Sequence, residues 1–229
     1  MKKAIQNFLY SVGLDVKLVR PVDNRWLTNR NLDSVLDIGA NTGQFAEKIH
    51  AILPEAQIYS FEPIKHCYEQ LLVNTQGYKL KAFNIALGET EEEVEINVSK
   101  HTPSSSLLEM AQLHKDVFEG TDFVAKEMIQ VQKLDSFADG LGNLGKFMVK
   151  IDVQGFEDRV IKGGENTIRN AELVVIETSF RELYKGQLLF NGIYNLLHDL
   201  GFDFKGNVTQ TLDERDGSIL YAESLFVKP

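Results

Sequence analysis

The sequence contains a single cysteine, Cys67, so no disulfide can form within the chain. Secreted domains that are held together by disulfides are therefore excluded, and a reducing, cytoplasmic compartment is expected. No apolar run approaches the roughly 20 residues that a membrane-spanning helix needs, so no membrane span is expected. The apolar stretch near the N-terminus is not expected to be a signal peptide, because Gln6, Asn7 and Asp15 interrupt it.

Basic residues are outnumbered, with 24 Lys and Arg against 33 Asp and Glu, and the formal net charge is -9. A chain with this charge gains little from contact with phosphate backbones, so nucleic acid is not expected as its main partner. We expect the excess of acidic residues to serve solubility. The composition leaves the oligomeric state open.

Repeats and long linkers are also lacking, since no tract rich in Pro, Gly or Ser divides the chain. A chain of 229 residues, 43% of them hydrophobic, suits a single α/β domain. We expect that domain over residues 32–229. Residues 1–31 are expected to form an amphipathic N-terminal helical cap that covers the domain or the mouth of its substrate site.

Short apolar runs alternate with segments of helical period along most of the chain. The runs predict strands at 34–38, 57–61, 79–87, 93–99, 128–134, 147–153 and 172–178, and an antiparallel pair at 202–205 and 219–228. Helices are predicted at 43–52, 64–75, 156–170 and 189–200. This alternation is typical of βαβ units and of a mostly parallel sheet with helices on both faces, in which ligands bind beyond the carboxyl ends of the strands.

The first predicted strand runs into the sequence D-I-G-A-N-T-G-Q, residues 37–44. Gly39 and Gly43 allow a sharp turn and a close approach of the backbone to a ligand, and the next helix points its free N–H groups at that ligand. Asp37 stands just before the turn. Its carboxylate can fix a cationic amino group, directly or through water, or it can stabilise its own loop.

The spacing of this turn argues against two other nucleotide-binding motifs. A dinucleotide fingerprint has the pattern G-x-G-x-x-G, but Asn41 and Gln44 stand where its later glycines would follow Gly39. A P-loop requires Gly-Lys followed by Ser or Thr, and no such triplet follows the turn. A nicotinamide-dependent oxidoreductase is therefore a less favoured alternative.

The second predicted strand ends in Phe61-Glu62-Pro63. An acidic residue about 20 residues beyond the glycine turn can bind both hydroxyls of a ribose, because a carboxylate has two acceptor oxygens. Alternatively, Glu62 caps the next helix, whose first turn would contain Pro63. The glycine turn and the acidic strand end together favour a nucleoside ligand. On the third strand, Asn84 is a candidate to bond an adenine edge, and Ala86 is small enough to leave room for the ring.

Acidic residues also end two later strands, at Asp152 and Glu177. Carboxylates inside apolar strands are costly to bury unless they are paired, ligated or facing a cleft. Both are therefore candidate general bases. His101 and His114 are further candidates, in the segment 100–118 that we expect to overhang the site. Helix capping and loop hydrogen bonding are the alternative roles of the two carboxylates.

Taken in order, these motifs resemble the FkbM family of methyltransferases from about residue 33 to the C-terminus. The resemblance is carried by L-D-I-G-A-N-T-G-Q, F-E-P, A-L-G, S-S-S-L-L at 104–108, K-L-D-S-F at 133–137, K-I-D-V-Q-G-F-E, V-I-K-G-G at 160–164 and the final S-L-F-V-K. Many relatives have Glu where this chain has Gln154, so a carboxylate role does not carry over at that position.

The resemblance implies a Rossmann-like class I methyltransferase fold, with a seven-stranded sheet whose last strand is antiparallel. It implies S-adenosyl-L-methionine as the methyl donor and transfer to a hydroxyl of a sugar, glycan or natural-product small molecule. The cofactor-binding stretches of the family fall on Asp37, Gly39, Asn41, Gly43, Glu62 and Asn84. The cofactor site that we predict also includes Gln44, Phe61, Pro63, Ala86 and Asp152.

The route of the acceptor proton stays open at this stage. It can pass to a base, for which Asp152, Glu177 and His101 are the candidates, or a divalent metal can activate the hydroxyl, although no metal site is predicted. A module that binds S-adenosylmethionine without turnover is the second functional alternative. The D-V-Q-G segment lacks the Pro-Pro motif of amino-group methyltransferases that act on nucleobases, which agrees with the acidic charge.

Overall fold

A computed structural model describes residues 24–229 of the chain. The strands are β1 (Ser34–Ile38), β2 (Gln57–Phe61), β3 (Leu80–Phe83), β4 (Ala86–Leu87), β5 (Glu92–Ser99), β6 (Phe123–Gln132), β7 (Phe147–Ile151), β8 (Leu173–Ser179), β9 (Asp203–Leu212) and β10 (Ile219–Val227). The helices are α1 (Arg25–Thr28), α2 (Gln44–Ile52), α3 (Lys65–Asn74), α4 (Gln112–Val117), α5 (Leu134–Ala138), α6 (Glu157–Gly163), α7 (Glu165–Ile168) and α8 (Phe190–Asp199), with a 3-10 turn at Thr102–Ser104.

Seven of the strands form one sheet in the order β3-β2-β1-β7-β8-β10-β9. Strands β3, β2, β1, β7 and β8 pair in parallel, whereas β10 runs antiparallel to both β8 and β9. The central strands β1 and β7 are buried along their whole length, as expected where helices cover both faces of a parallel sheet. The predicted α/β fold is therefore confirmed, including the seven strands and the antiparallel last strand of the class I methyltransferase arrangement.

The sheet separates two hydrophobic cores, because successive side chains of a strand point to opposite faces. From β1, Leu36 and Ile38 enter the core that is covered by α6 and α8, where Val160 and Leu197 are fully buried. Val35 enters the opposite core with residues of α1 and α2. This packing fixes the register of the central strands, and with it the positions of the residues at their carboxyl ends.

Three strands form a second sheet in the order β4-β6-β5. The strands predicted at 93–99 and 128–134 are present as β5 and β6, although β6 begins earlier, but their pairing in a separate sheet was not predicted. The single strand predicted over 79–87 is wrong, because the chain leaves the main sheet after Phe83, and Ala86 pairs with Val131 of β6 instead. The turn between β3 and β4 is held by Asn84, whose side-chain Nδ2 donates to the carbonyl oxygens of Glu62 and Pro63.

The helix predicted over 156–170 is also wrong as a single element, because it is divided into α6 and α7 at Gly163 and Gly164. A Cβ atom on Gly163 would lie 1.8 Å from the carbonyl oxygen of Gly88, so close backbone packing requires glycine at this point. The antiparallel pair predicted at the end of the chain is confirmed as β9 and β10, although β9 continues to Leu212.

Most of the predicted N-terminal cap, residues 1–31, lies outside the described residues. Its last part contains α1, from which Leu27 is buried in the core beside α2. The boundary between a cap and a domain over 32–229 stays a prediction. None of the helices between residues 24 and 229 combines the length and the apolar character that crossing a membrane requires.

Candidate active site

The chain turns sharply after β1, where Gly39 has a φ of +80° and Asn41 a φ of +46°. A Cβ atom on Gly39 would lie 1.9 Å from the carbonyl oxygen of Asp152, so only glycine lets the ends of β1 and β7 approach this closely. Lys150 supports the approach, since its Nζ donates to the Gly39 carbonyl over 3.0 Å. The backbone of the glycine turn therefore borders the same space as the end of β7.

Glu62 follows β2 and is almost completely buried, with 4% of its surface exposed. Its Oε2 accepts the backbone N–H of Asn41, and its Oε1 accepts that of Ile64, each over 2.8 Å. Burial raises the pKa of the Glu62 carboxyl to about 7, although the two backbone donors act in the opposite direction. The carboxylate thus joins the end of β2 to the glycine turn and to Ile64, the residue before α3.

A cleft opens beside Glu62 at the carboxyl ends of β1, β2 and β7, and we call it the first cleft. Its volume is about 680 Å³ with its open mouth included. The polar side of its lining includes Asn41 and Glu62, whereas Ile85, Leu107 and Phe156 contribute apolar surface. This cleft can therefore hold a ligand that combines a flat apolar ring with hydroxyl groups.

A second cleft adjoins the first, between the segment 101–121, the ends of β7 and β8, and the β9–β10 hairpin. Its volume is about 1340 Å³ with its open mouth included. The two clefts share Pro103, Asp152 and Gln154 in their linings. A group bound in one cleft therefore meets a group bound in the other beside Asp152.

Gln154 joins the two acidic strand ends. Its Nε2 donates to Oδ1 of Asp152 over 2.7 Å and to Oε1 of Glu177 over 3.1 Å. Its Oε1 accepts the hydroxyl of Tyr184 over 2.8 Å, and its backbone oxygen accepts the hydroxyl of Ser106 over 2.6 Å. Asp152 and Glu177 are thus brought together, as the positions of their strands predicted, by a residue that is itself held on two sides.

The two carboxylates lie near each other, and the buried Lys150 lies near Asp152. Burial and then the neighbouring Asp152 carboxylate raise the pKa of Glu177 well above its usual value. On the other side, Nζ of Lys150 lies 3.5 Å from Oδ2 of Asp152 and 3.6 Å from Oδ1 of Asp37. The ionised form of a carboxyl group with a raised pKa binds a proton more strongly than an ordinary glutamate does.

Residues 37–204 of the chain match the family model of the methyltransferase FkbM domain. The chain belongs to the FkbM methyltransferase family. The matched range contains the glycine turn, Glu62, Asp152 and Glu177, whereas most of β9 and all of β10 lie beyond it. Family membership makes the protein an S-adenosylmethionine-dependent methyltransferase and removes the oxidoreductase alternative.

Two curated relatives are similar to this FkbM methyltransferase over most of its length. The 2-O-methyltransferase NoeI of Sinorhizobium fredii (strain NBRC 101917 / NGR234) is 26% identical over an alignment of 170 residues, and the match covers 71% of this chain and 70% of the relative. The methyltransferase sdnD of Sordaria araneosa is 26% identical over an alignment of 197 residues, and the match covers 74% of this chain and 73% of the relative. Among solved structures, TehB from Haemophilus influenzae aligns with a TM-score of 0.48 at 8% identity, covering 98% of this chain and 67% of that chain.

The cofactor residues that we predicted for this FkbM methyltransferase fall into two groups. The first group lines the first cleft and consists of Gly39, Asn41, Phe61, Glu62, Pro63, Ala86 and Asp152. The second group does not line it and consists of Asp37, Gly43, Gln44 and Asn84.

Asp37 is the most deeply placed member of this second group, with a side chain that is fully buried. Burial raises its pKa, whereas Lys150 lowers it, and its Oδ1 accepts no hydrogen bond from the described residues. Burial alone would lower the pKa of Lys150, but Asp152 and Asp37 raise it above its usual value. The buried ion pair of Asp37 and Lys150 therefore supports the glycine turn.

The three other members of that group have structural partners. The side chain of Asn84 bonds backbone carbonyls, as described for the β3–β4 turn. Gly43 packs against Leu71 of α3 and against Thr75, the residue that follows this helix. Gln44 is exposed at the start of α2 and lies 3.4 Å from Oδ1 of Asn41.

The two candidate histidines both line the second cleft. His101 is exposed, and its Nδ1 lies 3.4 Å from the hydroxyl of Ser104. His114 is buried, with Nε2 3.3 Å from the hydroxyl of Tyr184 and Nδ1 3.3 Å from that of Thr121. Burial lowers the pKa of His114, which favours its neutral form at pH 7.

The sequence reasoning missed the part of the second cleft that comes from the β9–β10 hairpin. Thr209, Thr211, Tyr221 and Glu223 line the cleft from this hairpin. The available signal was the polar residues within the alternating pattern of the last strand, next to the strand that ends in Glu177. Between residues 24 and 229, no group of three or more His, Cys, Asp and Glu side chains is arranged to hold a metal ion.

Proposed function

We propose that this FkbM methyltransferase transfers a methyl group from S-adenosylmethionine to a hydroxyl of a sugar, a glycan or a hydroxylated natural product. The observation that supports this most directly is the meeting of the two clefts beside Asp152 and Gln154. One cleft suits a nucleoside, and the other is polar and borders a pair of candidate bases. The relative named as a 2-O-methyltransferase supports oxygen as the accepting atom.

The first cleft fits the methyl donor through the chemistry of its own residues. Glu62 lines it with a carboxylate, and each oxygen of that carboxylate already holds one backbone donor and retains a second lone pair for a ribose hydroxyl. Ala86 leaves room beside the apolar Ile85 and Leu107, where an adenine ring can pack. The bare backbone of Gly39 allows the remainder of the ligand to approach the end of β1.

S-adenosylmethionine supplies a methyl group on a positively charged sulfur, which is released as a neutral thioether. The acceptor oxygen forms a bond to the methyl carbon as the carbon–sulfur bond breaks, and the hydroxyl proton passes to a carboxylate of the Asp152–Glu177 pair. Holding the acceptor in line with the methyl group can lower the barrier by up to about 7–11 kcal/mol. A positioned base typically adds a factor of about 10²–10⁴ to the rate.

A route without a metal is favoured by the position of Gln154. Its Nε2 already donates to Oδ1 of Asp152 and to Oε1 of Glu177, so an N–H group occupies the point at which a cation would bridge the pair. A hard cation would have to displace this N–H group to bind these two oxygens. The remaining candidate bases are His101, at the exposed rim of the second cleft, and the buried His114.

The substitutions Asp152→Asn and Glu177→Gln test the base. Each is expected to lower turnover by at least about 100-fold, because a proton acceptor is lost. Affinity for S-adenosylhomocysteine, measured by calorimetry, is expected to change far less. Glu91→Gln, at an exposed position that lines neither cleft, serves as the control.

Turnover is measured by mass spectrometry of hydroxylated acceptors that have been incubated with methyl-labelled S-adenosylmethionine, with and without a chelator. Full activity in both variants would exclude the pair as the base. Loss of wild-type activity in the chelator would favour a metal route. Binding of S-adenosylhomocysteine without methyl transfer to any acceptor would favour the binding module.

A further inference from the structure

The wall of the second cleft carries four carboxylates from four parts of the chain. Glu119 follows α4, Asp152 follows β7, Glu177 lies on β8 and Glu223 lies on β10. No Lys or Arg of the described residues belongs to this lining. Even with one proton shared between Asp152 and Glu177, the wall keeps three negative charges.

The nearest buried cation does not neutralise this wall from within the cleft. Lys150 stands behind Asp152, with its Nζ bonded to the Gly39 carbonyl and shared between Asp152 and Asp37. It lines neither cleft. A ligand in the second cleft therefore faces carboxylate oxygens. The positive charge of Lys150 lies behind Asp152, outside the lining of the cleft.

Two of the carboxylates retain acceptor oxygens that face no donor among the described residues. Oε1 of Glu177 accepts a hydrogen bond from Nε2 of Gln154, and Oε2 of Glu223 accepts one from the hydroxyl of Thr209. The other oxygen of each carboxylate is therefore free to accept a hydrogen bond from a ligand. A carboxylate can accept both hydroxyls of a vicinal diol, one at each oxygen. The charge and the free acceptors therefore favour a ligand that is rich in hydroxyl donors.

The same cleft contains aromatic surface beside its acceptors. Phe118 and Tyr221 both line it, and their ring centroids are 6.2 Å apart. Flat aromatic faces pack against the apolar C–H face of a sugar ring, while the hydroxyls on its rim bond to polar neighbours. Thr211 and the hydroxyl of Tyr221 supply such polar neighbours.

We propose that the second cleft selects an uncharged, hydroxyl-rich saccharide unit and rejects saccharide units that carry a carboxylate, sulfate or phosphate. The proposal rests on the proposed function, because it assigns the second cleft to the acceptor. Its basis is the combination of a cleft that adjoins the donor site, free carboxylate oxygens and aromatic surface. Glu119 and Glu223 are the residues that would exclude anionic acceptors, since neither belongs to the proposed base.

The test uses a panel of methyl glycosides in which each neutral hexoside is paired with its uronic acid and its 6-phosphate. Transfer from methyl-labelled S-adenosylmethionine is followed by mass spectrometry. For at least one neutral member, kcat/KM is expected to exceed that of its anionic partners by about 100-fold, because like charges that face each other are strongly unfavourable. Glu119→Gln and Glu223→Gln are each expected to lower the ratio of kcat/KM for the neutral hexoside to that for its anionic partner by about tenfold. Glu91→Gln is expected to leave this ratio unchanged.

The outcomes separate this proposal from the function on which it rests. Equal or faster transfer to the anionic partners, or an unchanged ratio in both variants, would overturn the charge selection and leave O-methyl transfer intact. Transfer to no member of the panel, with S-adenosylhomocysteine still bound, would count against a saccharide acceptor altogether. Unaltered S-adenosylhomocysteine affinity in Glu223→Gln shows that its fold is retained.

Discussion

Lowering the pH from 8 to 6 is expected to weaken the binding of S-adenosylhomocysteine about tenfold. Glu62 is buried, and its pKa is raised to about 7, so about nine-tenths of its carboxyl groups are ionised at pH 8 and about one-tenth at pH 6. Ribose hydroxyls donate to the ionised form, which means that binding selects it and releases a proton at low pH. A tenfold change in the dissociation constant corresponds to about 1.4 kcal/mol.

Calorimetry at pH 6, 7 and 8 measures this effect, and buffers of different ionisation enthalpy count the released protons. About 0.9 proton is expected at pH 6 and about 0.1 at pH 8, from the same ionised fractions. Glu62→Gln should remove the dependence and weaken binding by roughly 1–3 kcal/mol at pH 8, since a hydrogen bond to a charged group is lost.

Glu157→Gln provides a matched control for this experiment. Burial raises the pKa of Glu157 to about 7 as well, but Glu157 does not line the first cleft. Its Oε1 instead accepts the backbone N–H groups of Val153 and Gly155. The pH dependence should therefore persist in this variant. The ribose assignment would be refuted if the wild-type affinity for S-adenosylhomocysteine did not change between pH 6 and 8. It would also be refuted if Glu62→Gln kept the pH dependence of this affinity.

Two further substitutions test the geometry. Gly39→Ala places a Cβ atom 1.9 Å from the Asp152 carbonyl oxygen and should lower both thermal stability and S-adenosylhomocysteine affinity. Gly77→Ala, also at positive φ but with open space around it, should cost less stability, and equal losses in thermal melts would contradict the close approach. Gln154→Glu adds a third carboxylate next to Asp152 and Glu177, raises the pKa of Glu177 further and should move the rising limb of the pH–rate profile up by at least about one unit. An unmoved profile would exclude the pair as the titrating base.

The main sheet could be predicted because its strands carry their own signal. β1, β7 and β8 are buried on both faces, so each appears in the sequence as a short, nearly continuous apolar run. The second sheet could not be predicted in this way. Ala86 and Leu87 pair with Val131 and Gln132, which are distant in the sequence, and no local pattern records that pairing.

The candidate site was predictable where a residue ends a strand. Glu62, Asp152 and Glu177 were found for this reason, and all three line a cleft. Asp37 also stands near a strand end, but its side chain points toward Lys150 and does not line a cleft. This orientation could not be predicted, because it depends on a partner from another strand. Glu223 was missed because its position follows from the pairing of β10 with β8.

The two clefts draw their side chains from different halves of the sheet, which has a consequence for how such enzymes diverge. After a gene duplication, one copy can accumulate substitutions on the β9–β10 hairpin and change the molecule it modifies, while the half that we propose for the methyl donor stays under selection. Pro103 and Asp152 belong to both clefts, so a substitution at either position would alter both clefts together. Paralogues of this chain should therefore differ most along the hairpin and least at those two residues.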